Sequence, residues 1–182
     1  MKKLFFALLL SVFCASPVFG DSKVISVNQF VEHPALDAVL KGLQDSLKEQ
    51  GVDVKYNVHI AQANMGTATQ IAQQMVGEKP DMMVAIATPS AQACAQALVK
   101  APADMKAPFL FTAVTDPVSA GLVKDLDKPG GDITGVSDLL PLKEHIKMVL
   151  TFKPSIKRLG YLYNAGEANS KATVAQIRAE GE

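Results

Sequence analysis

Hydroxyl, amide and carboxylate side chains recur just after apolar runs in this chain. Thr88-Pro89-Ser90 follows Met82 to Ala87, Thr115-Asp116-Pro117 follows Phe109 to Val114, and Gln29, Phe30, Glu32 and His33 follow Lys23 to Val27. The chemistry such a set supports is recognition rather than bond making. A helix N-terminus presents unpaired N–H groups and a partial positive charge, so Thr88-Pro89-Ser90 can hold a carboxylate without an arginine. Asp116 and Glu32 can hold an ammonium, and Thr115 adds a hydroxyl. Together they suit a zwitterion. Phe30 can stack on an aromatic ligand or equally pack into a core. Thr88 and Asp116 also read as helix N-caps, which contribute about 0.5–2 kcal/mol to stability alone. Glu32 and His33 have a structural reading too, as a first-turn acid and a cap before Pro34.

Catalysis and metal binding find little to work with. His33, His59 and His145 fall on different elements, with His59 expected on the outward face of an alternating strand and His145 on a helix. No Gly-x-Ser-x-Gly, Cys-x-x-Cys or His-x-x-x-His spacing occurs. Gly130-Gly131 reads as a turn, because no helix start or Lys-Ser pair follows it to make a phosphate loop. The expectation is a protein that is not an enzyme and uses no cofactor or metal.

The elements that must position these groups follow from periodicity. Lys23 to Val27 reads as a strand, and Leu36, Val39, Leu40, Leu43 and Leu47 form the apolar stripe of a helix that Gly51 ends. Val52 to Ile60 alternates apolar with polar residues, as a strand with one wet face does. Asn64 caps a second helix burying Ala68, Ile71, Ala72, Met75 and Val76. Met82 to Ala87 and Phe109 to Val114 are continuous apolar runs, suited to strands covered on both faces, and an Ala-rich helix to Lys100 separates them. Ile133 to Ser137 is the fifth strand. Strand and helix alternate, which predicts an α/β fold with a doubly wound parallel sheet; an alternating second strand fits the order 2-1-3-4-5, with strand two at an edge. Polar residues at the carboxyl ends of such strands line the edge where ligands bind.

The block from Phe109 to Ser137, FTAVTDPVSAGLVKDLDKPGGDITGVS after its first two residues, resembles the periplasmic solute-binding proteins of ABC importers with the type I binding-protein fold, a family with members that bind amino acids such as tryptophan. The resemblance runs from about Val24 to the end. It implies two similar lobes that close on a ligand like a hinge, Ile133 to Leu140 being the first crossing. Residues 21–136 are then the N-terminal lobe and 137–182 the start of a second, incomplete one. After Ser137 the pattern restarts with a helix from Leu142 to Phe152, a strand from Arg158 to Tyr163, and a helix from Ser170 that stops at Glu182, as expected of a truncated chain. In the family the turn Tyr163 to Ser170 faces the cleft from the opposite side, which makes Asn164, Glu167 and Ser170 ligand candidates, with Asn169 supplying turn geometry or Ser170 a cap.

Residues 1–20 read as a cleavable signal peptide, with Lys2 and Lys3 before the apolar run Leu4 to Val12. That run falls short of the roughly 20 residues of a membrane span. Bulky Phe13 argues against lipidation at Cys14. Without Lys2 and Lys3 the 18 basic residues become 16 against 18 acidic ones, a formal charge of −2. No cluster of Lys and Arg offers a footprint for nucleic acid. Cys94, then the one remaining cysteine, reads as a core thiol. The expected role is a periplasmic receptor for a small polar or zwitterionic ligand, partnered by an inner-membrane permease and its ATPase. The alternatives are an extracytoplasmic sensory domain, which needs a membrane span or DNA-binding domain, and an exported α/β enzyme, which needs a Ser–His contact.

Overall fold

A computed structural model describes residues 22–181. The signal-peptide and Cys14 readings lie outside them. Five strands, β1 (Lys23–Gln29), β2 (Val54–Ile60), β3 (Met82–Ile86), β4 (Phe109–Val114) and β5 (Ile133–Ser137), form one sheet in the order β2-β1-β3-β4-β5, every pairing parallel. Helices α1 (Pro34–Glu49), α2 (Met65–Glu78) and α3 (Thr88–Lys100) make the crossovers, and α4 (Leu142–Phe152) and α5 (Ala168–Gly181) follow the sheet.

The period-two alternation of strand side chains sorts the core into two layers. Ile25 and Val27 of β1 and Val84 and Ile86 of β3 pack on α1 through its stripe of Leu36, Val39, Leu40, Leu43 and Leu47. On the opposite face Met83, Ala85, Phe109 and Phe111 pack with Ala68, Met75, Ala91, Cys94 and Leu98 of α2 and α3. Ser26 and Asn28 of β1 alternate with Ile25 and Val27 and are buried too.

Local chemistry sets the ends of the elements. Gly51, at φ +73°, turns the chain out of α1 while its N–H and that of Val52 bond the Lys48 and Leu47 carbonyls, both at 3.0 Å. Because Val52 completes that exit, β2 begins at Val54 and not at Val52. Asn64 caps α2, its Oδ1 accepting the Thr67 N–H at 3.0 Å.

Four further expectations of the sequence are corrected. No helix follows Asp116: the carboxylate accepts the Ser119 N–H at 2.9 Å and closes one turn, which Gly121 at φ +75° ends. Arg158 to Tyr163 forms no strand, since no neighbouring strand among the described residues offers it a ladder, and Leu159, Leu162 and Tyr163 are exposed. His59 does not stand in water. The C-terminal turn of α2 reaches over that face of β2, and His59 Nε2 lies 2.9 Å from Glu78 Oε1. The fourth concerns Thr88, below.

Candidate ligand-binding rim

Parallel strands bring their carboxyl ends to one edge, and the backbone is strained there. Of the five non-glycine residues with positive φ among those described, Gln62, Ala63, Ala87 and Ala113 follow or end strands at this edge; only Lys79 sits at the other. Ala87, at φ 83° and ψ 152°, lies in a region few side chains adopt, and such residues cost about 1–3 kcal/mol each. Its N–H donates to the Thr112 carbonyl at 3.0 Å, one residue before Ala113 at φ 52°. At Ala113 the β4–β5 register slips: Phe111 pairs with Gly135 but Val114 with Ser137, so two β4 residues oppose Val136 alone. Such a bulge re-aims the residues after it.

The bend at Ala87 places Thr88 inside the first turn of α3. Ala87 is the N-cap and has no side-chain bond to give, so Thr88 is not the cap its sequence suggests. Thr88 is 2% exposed and its Oγ1 is buried without a hydrogen-bond partner. Buried hydroxyls are almost always satisfied, so an unpaired one in the first turn of a helix stands out.

Ser90 lies behind it, fully buried, its Oγ donating to Asn28 Oδ1 at 2.9 Å. Asn28 Nδ2 donates onward to the Ala68 carbonyl at 2.9 Å and approaches Cys94 Sγ at 3.7 Å. Burial pushes the Cys94 thiol up to about 12 against the opposing pull of Asn28, which leaves it un-ionised and unreactive at neutral pH.

Thr115 and Asp116 are half-buried at the β4 end. The Thr115 carbonyl accepts the Ser137 hydroxyl at 2.9 Å, and the Val114 carbonyl accepts the Asp138 N–H at 3.2 Å. Phe30 is buried in the α2–α3 layer, its N–H bonding the Ile86 carbonyl at 3.2 Å. Glu32 is exposed and lines a groove of about 590 Å³ between α1 and β2, together with His33, Asp37 and Lys41. Thr88, Ser90, Thr115 and Asp116 line no part of that groove. His33 acts as the cap of α1, its Nδ1 accepting the Ala35 N–H at 3.2 Å.

Asn164, Glu167 and Ser170 come together in a single turn. Asn164 Nδ2 donates to Glu167 Oε1 at 2.9 Å, its Oδ1 accepts the Gly166 N–H at 2.9 Å, and its N–H reaches Ser170 Oγ at 3.4 Å. Helix α5 begins at Ala168, which puts Ser170 inside it and not at its cap. The residue that stands out is Asn169, read from the sequence only as turn geometry: its Oδ1 is buried and has no partner. Helix α5 packs against both α3 and α4. Only tertiary packing could reveal Asn169, since an Asn before a helix looks the same whether or not something covers it. Among the described residues no cluster of three or more His, Cys, Asp or Glu is placed to hold a metal, and no helix is long and apolar enough to cross a membrane.

Residues 24–181 match the family model described as ABC transporter substrate binding protein. The chain belongs to that family. A tyrosine-binding protein of Clostridioides difficile is 42% identical over 159 residues, covering 85% of this chain and 44% of its own length. A Streptococcus pneumonia ABC domain in complex with L-Trp is 40% identical with a TM-score of 0.78, covering 86% of this chain and 52% of that one. A ligand-free, open substrate-binding protein with adhesive properties from Clostridium difficile is 38% identical with a TM-score of 0.67, at the same 86% and 52% coverage. The chain thus spans about half the length of these family members. The five-stranded parallel sheet and its order agree with the type I expectation.

Proposed function

We propose that this protein is the periplasmic receptor of an ABC importer for an amino acid or similar zwitterion, exported by a signal peptide at residues 1–20. Residues 21–136 form one lobe and 137–182 open the second, with the ligand between them. The observation that carries this reading is the buried, unpaired Thr88 hydroxyl in the first turn of α3, in a chain of the substrate-binding family. The α3 N–H groups and Thr88 take the carboxylate. Thr115 and Asp116 at the neighbouring strand end, and Asn164, Glu167 and Ser170 from the second lobe, complete the shell. Ser90 acts from behind through Asn28, while Phe30 and Glu32 border the edge from the β1 side.

Transport follows from differential affinity. A ligand touching both lobes stabilises the closed form, and the permease with its ATPase distinguishes that form from the open one.

The test is a titration of the ¹⁵N-labelled protein with L-tyrosine, L-tryptophan and the other amino acids to millimolar concentration, following backbone amide shifts. Saturable shifts at the Thr88, Ser90 and Ala91 amides are expected with at least one of them. A panel that moves none of these amides removes the proposal.

A further inference from the structure

We infer that Asn169 is the acceptor for the ligand's amino group, opposite the carboxylate held by Thr88; this deepens the receptor reading above and rests on it. Three side-chain polar atoms are buried without a partner among the described residues: Tyr56 Oη, Thr88 Oγ1 and Asn169 Oδ1. Tyr56 belongs to β2 and packs on the α1 side of the sheet. The other two lie on α3 and α5, which touch each other.

Position along α5 supports the pairing. Its C-terminal half faces α4, where Ile177, Arg178 and Glu180 share a hollow with Ile146, Val149 and Leu150. Asn169 sits at the opposite end, in the first turn. Thr173, one turn on, is 8% exposed and donates its Oγ1 to the Asn169 carbonyl at 3.0 Å, so this stretch of α5 is covered.

The chemistries are complementary. An amide Oδ1 has lone pairs and no proton, so it takes an N–H donor; a hydroxyl beside the N–H groups of a helix start takes an oxyanion. An α-amino acid presents both on one carbon. Asp116 and Glu167 already spend part of their acceptor capacity on Ser119 and Asn164, Glu32 stands beside the α1 groove, and the Asn169 Oδ1 is the buried acceptor whose capacity is wholly unspent.

The experiment compares L-tyrosine and L-tryptophan with the analogues lacking the amino group, 3-(4-hydroxyphenyl)propionate and indole-3-propionate. The full chain and the variants Asn169→Leu and Asn169→Asp are titrated while α3 amide shifts are followed, with a thermal midpoint for each variant. Asn169→Leu is expected to weaken amino-acid binding about tenfold or more while leaving the deaminated acids within about twofold. Asn169→Asp, which keeps the acceptor, should retain amino-acid binding and covers the case in which the leucine variant unfolds. Equal loss for both ligand classes, or no loss for either, overturns the inference, as does loss of amino-acid binding in a folded Asn169→Asp. A wild-type protein that binds the deaminated acids as well as the amino acids overturns it while leaving the carboxylate subsite standing. Binding of neither class removes the receptor reading, and the inference goes with it.

Discussion

Gly135 of β5 lies flat against Phe111 of β4: a Cβ on Gly135 would fall 2.1 Å from the Phe111 carbonyl oxygen and 2.4 Å from its ring Cδ2. Backbone and ring cannot both yield, because Phe111 is 3% exposed in the core. Gly135→Ala should therefore force β5 away from β4 and lower the unfolding free energy by about 1–3 kcal/mol or more, as overpacked cores do. A urea unfolding curve measures this, and an unchanged midpoint would mean the strands are not this close.

Thr88 and Ser90 should separate binding from stability. Ser90→Ala strips Asn28 Oδ1 of its donor inside the core, a loss of about 1–3 kcal/mol. Thr88→Val removes a hydroxyl with no protein partner, so stability should hold or rise while amino-acid binding falls. Thermal melts alongside ligand titrations read both. A Thr88→Val protein that melts early while binding normally would reverse the assignment.

The strain at the rim predicts an unusual response to glycine. Glycine adopts positive φ freely but costs more chain entropy on folding, about 0.5–1 kcal/mol, against about 1–3 kcal/mol of relieved strain. Ala87→Gly should thus raise the thermal midpoint slightly, and Ala87→Val should lower it clearly. The reverse order in scanning calorimetry would contradict the backbone described at Ala87.

Glu78 sets a pH dependence. Burial pushes its carboxyl up, but hydrogen bonds from Ser26, Asn57 and Gln74 and the attraction of His59 together hold it below the ordinary glutamate value. A carboxylate with a lowered folded pKa stabilises the fold above its unfolded pKa, and that contribution disappears as pH falls through the folded one. Glu78→Gln should cost about 1.5–3 kcal/mol at neutral pH and show less further loss on acidification than the wild type. Urea midpoints at pH 7 and pH 3 provide the comparison; parallel losses in both proteins would assign the acid sensitivity elsewhere.

The sheet was legible in the sequence because its signals are local. Continuous apolar runs at Met82 to Ala87 and Phe109 to Val114, the alternation after Val52 and the caps at His33 and Asn64 each needed only neighbouring residues to be read. The rim was harder. Thr88-Pro89-Ser90 has the composition of a cap, proline and hydroxyl, yet the cap slid one residue to Ala87 because the strand runs straight into the helix through a strained peptide. Asp116-Pro117 also has a helix-start composition, but Gly121 at positive φ turns the chain away after a single turn. His59 and Asn169 depend on what packs over them, Glu78 from α2 in one case and the covered flank of α5 in the other, and no spacing along the chain encodes that.

The Ser137 hydroxyl ties the chain leaving the sheet to the carbonyl of Thr115 at the tip of β4. A swing of whatever follows Asp138 therefore has a short tether: beyond a small angle it must either snap this bond or drag the β4 tip along. That hydroxyl shares the restraint with the Asp138 N–H bonded to the Val114 carbonyl, and Ser137→Ala would loosen the joint without altering any side chain proposed to meet the ligand.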